Sequence, residues 1–230
     1  RGGMRQIQPG IESFSNQVLR LMEKGVSGLQ NIQLMRWCEE VGIECAWNIL
    51  GGFPDESPTE YERMAEMVPL LVHLQPPLSC GQVRLDRFSP FHTRSEKFGF
   101  RRMRPARGYF YVFPLGRREL NRLAYFFDFD YGDGRDPESY MTPLRDAVRR
   151  WYLARSTESQ AKLDAWFSDT DVVRISDSRN SSVSPATFER ELNGLPAKLL
   201  LYCDTASTVD TLARRSDLAD SADEIEPTLK

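Results

Sequence analysis

The chain has 230 residues, a formal net charge of −3 and a pI near 5.6, with 27% charged and 40% hydrophobic residues. That length accommodates one large domain or two small ones, and that charge excludes general nucleic-acid binding through bulk electrostatics. With no apolar run of about 18 residues or more, and no apolar stretch in the opening RGGMRQIQ, neither a membrane span nor export is expected, and the cytoplasm is the expected location.

Residues 1–99 alternate short apolar runs with helical periodicity, the pattern of repeated βα units on a parallel sheet. The first run, QIQ, turns at Pro9-Gly10 and presents Glu12 and Ser13. It then enters a helix capped by Ser15, with Val18, Leu19 and Met22 on one face and Gly25 as its stop. A second helical stretch spaces Leu29, Ile32, Met35, Cys38 and Val41 three residues apart and ends at Gly42. The second strand run is IECAWNIL. After GGFPDE, the residues Ser57, Pro58 and Glu60 predict a capping box. The helix they open has Tyr61, Met64, Val68, Leu71 and Val72 on its apolar face and Pro69 as an internal kink. Pro76-Pro77 closes it before the third run, QVRLDRF. Three parallel strands form an open half of something larger, because a parallel sheet wants both faces and its edges covered. The chain is therefore expected to be the C-terminal part of a longer protein, whose missing N-terminal half covers the first strand.

The pattern changes at about residue 100. Residues 100–170 read as an Arg- and aromatic-rich connector, FRRMRPARGYFYVFPLGRR, with a helix near 116–127, a turn DYGDGRD and a helix carrying Leu144, Val148, Trp151 and Tyr152. Ten of the 25 arginines lie between Arg84 and Arg122, where Lys97 joins them against Asp86, Glu96 and Glu119 alone. Such a segment suits an anionic cofactor, an acidic peptide or an ordinary solvated stripe. Residues 171–215 predict a strand DVVRI, a strand TFEREL and two helices, LPAKLLLYCD and STVDTLARR, the second opened by Ser207 and Asp210. Together these suggest a small winged-helix-like module. Residues 216–230 are acidic and free of aromatics, and are expected to be disordered.

Cys38, Cys45, Cys80 and Cys203 have no ligand-like spacing, so free thiols are expected and no metal ligand is assigned in this chain. His73 and His92 have no partner motif. Arg84, Asp86 and Arg87 alternate with apolar residues on the third strand, and whether they face the interior stays open.

With GIES, WNILGGFPDES and DRFSP in place, the first 99 residues resemble the second half of a radical S-adenosylmethionine barrel. More narrowly, IQPGIES, LMEKGV, LQNIQLMRWCEEVGI, WNILGGFPDE, LVHLQPP and VRLDRFSP resemble the radical enzymes that mature ribosomally made peptides. Within that group the match is to the cobalamin-dependent C-methyltransferase-like branch, which LAYFFDFDY and VVRISDSR also resemble. The fold the resemblance implies is α/β: the C-terminal half of a partial (β/α) barrel of parallel strands, followed by helices and the winged-helix-like α+β module. It also implies S-adenosylmethionine as cofactor and a [4Fe-4S] cluster on a C-x-x-x-C-x-x-C loop upstream of Arg1. Any cobalamin domain would also lie upstream. The implied substrate is a ribosomal precursor peptide, C-methylated at an unactivated carbon, and the isolated chain is expected to be inactive.

Carried onto this chain, the resemblance assigns Glu12 and Ser13 to the ribose hydroxyls, which a carboxylate can accept in pairs. Lys24 falls to the methionine carboxylate and Asn48 to the nucleoside. Gly52 gives close backbone approach to the adenine, with Leu50 and Phe53 as apolar walls. Each has a plain alternative: Glu12 and Ser13 as helix caps, Lys24 as a helix-end cation, and Gly51-Gly52 as an ordinary turn. No catalytic residue is identified. Two other readings are a leader-peptide recognition module at 171–215 and a different radical reaction. A DNA-binding helix is disfavoured, since STVDTLARR offers only Arg214 and Arg215. A cofactor-free hydrolase or lyase lacks a visible dyad in residues 1–99.

Overall fold

The computed structural model describes residues 2–156, 160–169, 171–179, 188–215, 217–218 and 221–229. The architecture is mixed α/β, with two two-stranded parallel ladders and two three-stranded antiparallel sheets among the described residues. β1 (Gln6–Ile7) pairs in parallel with β2 (Glu44–Cys45), and β3 (Asn48–Gly51) with β4 (Ser79–Gln82). A single parallel bridge between Glu12 and Ile49 joins the ladders, so segments 6–12, 44–51 and 79–82 lie side by side in chain order.

The run IECAWNIL is split at Ala46-Trp47. Trp47 is fully buried there and its indole N–H donates to the Gln75 carbonyl at 3.0 Å. The third run is split too. Val83 still donates to the Gly51 carbonyl at 2.7 Å, but β5 (Leu85–Asp86) leaves the parallel ladder. It pairs antiparallel with β7 (Phe126–Tyr131), whose other neighbour is β6 (Phe100–Pro105). The helix predicted near 116–127 is therefore shorter than its pattern suggested. The alternating FFDFDY has period two and takes the strand instead.

Between the parallel segments run α1 (Asn16–Leu21), α2 (Gly28–Val41) and α3 (Thr59–Leu71). Ser15 caps α1 as predicted, its hydroxyl accepting from Val18 N–H at 3.2 Å, and Gly42 ends α2 at φ 68°. The capping box expected for α3 does not form. The Glu60 carboxylate instead accepts from the Ser15 hydroxyl at 2.5 Å, tying α3 to the start of α1. The helix continues through Pro69 to Leu71.

The remaining helices are α4 (Pro90–Thr93), α5 (Gly108–Val112), α6 (Arg117–Leu123) and α7 (Pro137–Ser156). α7 packs along α3 and seats Trp151 against Trp47 and Phe14, with ring centroids 6.0 and 6.5 Å away. Fully buried indoles need a hydrogen-bond partner, and Trp151 donates to the Leu74 carbonyl at 2.9 Å. This aromatic cluster anchors the main core.

The C-terminal sheet has the order β10 (Phe188–Asn193), β9 (Val172–Asp177), β8 (Leu163–Asp169), all antiparallel. The strand β8 falls in the predicted connector, and residues 180–187 of the predicted loop and strand lie outside the described residues. Three helices follow: α8 (Leu195–Tyr202), α9 (Val209–Ala213), capped by Thr208, and α10 (Ala222–Leu229). The tail expected to be disordered thus carries a helix, because Ile225 completes a small core with Leu199, Leu212 and Leu218. Among the described residues the module is tied to the rest at two places. Arg179 donates to the Leu70 carbonyl at 2.8 Å, and Arg36 pairs with Asp204 at 2.8 Å.

Candidate cofactor-binding site

Glu12 stands where the first parallel segment ends. Ser13 N–H donates to the Ile11 carbonyl at 2.7 Å, which closes a three-residue turn with Glu12 at its centre at φ 58°. The positive-φ form of this turn is rare and strained. Buried Asn31 clamps it from α2, its amide donating to the carbonyls of Ile11 at 3.0 Å and Ser13 at 2.9 Å. The Glu12 carbonyl accepts from Leu50 N–H at 2.9 Å, which fixes the turn to β3.

Lys24 comes back from the end of α1 and places its ammonium 3.4 Å from Glu12 Oε1, with both side chains partly exposed. Gly10 leaves room for this pair, since a Cβ there would lie 3.0 Å from Lys24 Nζ. Asn48 and Leu50 share the half-exposed side of β3, opposite buried Ile49 and Gly51. The Asn48 side-chain Oδ1 accepts from the Ser79 hydroxyl at 2.8 Å. Four predicted residues, Glu12, Lys24, Asn48 and Leu50, therefore lie on one turn, one helix end and one neighbouring strand.

Ser13, Gly52 and Phe53 do not join them. Ser13 is fully buried, and its hydroxyl is used internally, accepting from Ser15 N–H at 3.0 Å and facing Met64 Sδ at 3.4 Å. Gly52 has φ 81°, but the space a Cβ would take is filled by the protein: the Tyr131 hydroxyl would lie 2.5 Å away and Pro137 Cγ 3.2 Å away. At Gly51 the same test meets the Tyr61 hydroxyl at 2.6 Å and Met141 Sδ at 2.7 Å. These glycines admit internal packing groups rather than an adenine. Phe53 is buried and packs at a tilt of 57° against Phe91, 5.2 Å between ring centroids.

The residues that shape the GGFPDE loop come from far away in sequence. The buried Glu56 carboxylate accepts from Gly52 N–H at 2.6 Å, from the Tyr61 hydroxyl at 2.6 Å and from the Tyr140 hydroxyl. Tyr131 donates to the Gly52 carbonyl at 2.6 Å, and Arg135 donates to the carbonyls of Phe53 at 2.8 Å and Glu56 at 3.1 Å. Burial, and then the charge of Glu56, push the phenols of Tyr61, Tyr131 and Tyr140 well above the usual tyrosine range, so all three remain donors. A buried acid flanked by Pro54 and Pro58 was the one local signal for this network, since its partners on the β7–α7 segment lie about 80 residues downstream.

Beside this loop is a hollow of about 200 Å³ bordered by Arg20, Glu23, Phe53, Asp55, Lys97 and Phe98. It is smaller than the roughly 300 Å³ of ordinary small-molecule sites. Arg84 is ion-paired with Asp86 at 2.7 Å and lies over the Phe126 ring, while the Arg87 guanidinium donates to the carbonyls of Asn121 and Ala124 at the end of α6. Among the described residues no group of three His, Cys, Asp or Glu is placed to hold a metal ion. Cys38 and Cys45 lie together in the core, with burial pushing the Cys45 thiol up to about 12. No family model, curated protein or solved structure matches the chain.

Proposed function

We propose that this chain is part of a radical S-adenosylmethionine enzyme that modifies a ribosomally made peptide, with methyl transfer to an unactivated carbon as the reaction. The observation that carries the proposal is Glu12, strained at φ 58° at the end of a parallel strand segment and held beside Lys24. Backbone strain persists only where the surroundings over-determine it, and it clusters at functional sites. A carboxylate there accepts the paired hydroxyls of a ribose, and an ammonium beside it pairs with a carboxylate. Asn48 offers an amide to the nucleoside, and Leu50 an apolar surface.

The fit to S-adenosylmethionine is partial. Glu12 and Lys24 suit its polar ends, whereas Gly52 and Phe53 are closed by the protein's own side chains. Among the described residues no group of three His, Cys, Asp or Glu fits a [4Fe-4S] cluster, and the cluster and any cobalamin are proposed to be held by other residues of the full-length protein. When bound to such a cluster and given an electron, S-adenosylmethionine would supply a deoxyadenosyl radical and methionine, and Glu12, Lys24, Asn48 and Leu50 of this chain would position it. Binding of S-adenosylmethionine to the full-length protein, measured by calorimetry, tests the assignment. Glu12→Gln is expected to weaken it about tenfold, and unchanged affinity in both Glu12→Gln and Lys24→Met would overturn it.

A second reading is favoured by β10. This edge strand is exposed along nearly its whole length, and its outer edge has no partner strand among the described residues. An extended leader peptide adds to such an edge through main-chain hydrogen bonds. Titration with labelled leader peptide and with duplex DNA separates the outcomes, and tight salt-sensitive DNA binding alone would sink this reading.

A further inference from the structure

The face formed by residues 84–125 is built in ways that fold stability does not favour. Ser89 N–H donates to the Asp86 carbonyl at 3.0 Å, closing a four-residue turn whose third residue, Phe88, has φ 71°. Glycine or asparagine normally fills that position. Phe88 is also 77% exposed, so burial does not offset the strain.

Arg87 ties this turn to the end of α6 through the Asn121 and Ala124 carbonyls, and its N–H donates to the Tyr125 carbonyl at 2.7 Å. There Leu123 and Tyr125 are themselves about half exposed. The Tyr109 hydroxyl accepts from Tyr125 N–H at 2.9 Å and joins α5, where Phe110, Tyr111 and Val112 face solvent.

Arg117 and Arg118 hold the first two positions of α6, at the positive end of the helix dipole, where cations are disfavoured. Both are exposed, as is Arg122, and none of the three has an ion pair among the described residues. Glu119, the only acid on α6, is occupied in accepting from Gly116 N–H at 2.9 Å.

We propose that this face docks an acidic polypeptide segment that carries apolar side chains, with Phe88 as its anchor. Exposed aromatics among arginines are the composition of protein interfaces. Of the ten arginines and one lysine within 84–122, Arg84 pairs with Asp86, Arg94 and Lys97 with Glu23, and Arg102 and Arg104 with Asp130, while Arg117, Arg118 and Arg122 stay without an ion pair among the described residues, so the complement is local and carboxylate-rich. The exposed Val112 and Leu123 call for an apolar partner, which a phosphate backbone is not, and the chain's net negative charge opposes a long polyanion. α5 spans only five residues, too short for a helix lying along a membrane surface. Binding here requires neither a cluster nor S-adenosylmethionine and is independent of the radical chemistry.

Fluorescence anisotropy at low salt, with the 230-residue chain and a labelled peptide of alternating Glu and Leu, is the direct test. The controls are the matching Lys-Leu peptide, oligouridylate and phosphatidylserine vesicles. Saturable binding of the Glu-Leu peptide alone is expected. The double variant Arg117→Glu/Arg118→Glu should weaken it about tenfold and Phe88→Gly about fivefold. Both variants are expected to melt at or above the parent temperature, since one improves the helix dipole and the other relieves a strained backbone. No binding, equal binding of the Lys-Leu peptide, preference for oligouridylate or vesicles, or unchanged affinity in both variants would overturn the proposal.

Discussion

Replacing Gly52 by alanine tests whether the GGFPDE loop is shaped by internal packing or by ligand approach. At φ 81° a Cβ costs about 1 kcal/mol of backbone strain. That Cβ would lie 2.5 Å from the Tyr131 hydroxyl, so the hydroxyl must move and its 2.6 Å bond to the Gly52 carbonyl is lost, at about 1 kcal/mol. The shift also strains the 2.6 Å bond from Gly52 N–H to the Glu56 carboxylate, whose weakening adds about 1 kcal/mol. The total of about 3 kcal/mol lowers the melting temperature by about 6–12 °C in a chain of this size. Thermal melts of the parent, Gly52→Ala, Tyr131→Phe and the double variant provide the assay. With the hydroxyl already gone, the alanine should cost about 1 kcal/mol less. An unchanged melting temperature, or equal cost in both backgrounds, would refute the packing account, and weaker S-adenosylmethionine binding with it would return Gly52 to the cofactor.

Trp151→Phe leaves the Leu74 carbonyl without its donor inside the core and should cost about 2 kcal/mol by urea unfolding. Burial first, and then the Arg179 guanidinium, hold the His73 imidazole at about 4, with Arg155 adding to them and Asp177 opposing. Its folded pKa lies below the ordinary 6.5, so its contribution is complete above about pH 6.5 and is lost as the pH falls toward about 4; His73→Gln should flatten that part of the stability profile. Ile225→Ala should remove about 2–4 kcal/mol from the small C-terminal core. Hydrogen exchange should then rise across α8, α9 and α10 while α3 and α7 stay protected.

Local signals were legible where one residue type and one neighbour decide the structure. Ser15 before Val18 and Gly42 after Val41 marked helix ends that the fold uses. The first three strand segments could be read from their apolar runs, but not where those runs break. Trp47 and Leu85 are drawn into different packing environments by residues far away in sequence. Glu12 and Lys24 were separately visible, but their ion pair was not, since the resemblance gave each a different part of the cofactor. Gly52 misled because a permissive backbone looks the same whether it admits a ligand or a tyrosine hydroxyl, and Tyr131 is 79 residues away. The tail misled because its two buried apolar anchors, Leu218 and Ile225, are too sparse to register as periodicity.

The central claim is tested most directly by the full-length protein, purified and reconstituted with iron and sulfide without oxygen, then reduced in the presence of S-adenosylmethionine. Chromatography should detect deoxyadenosine from the parent and much less from Glu12→Gln, and none from residues 1–230 alone. No deoxyadenosine from the cluster-loaded full-length protein, or its formation by residues 1–230 alone, would contradict the account.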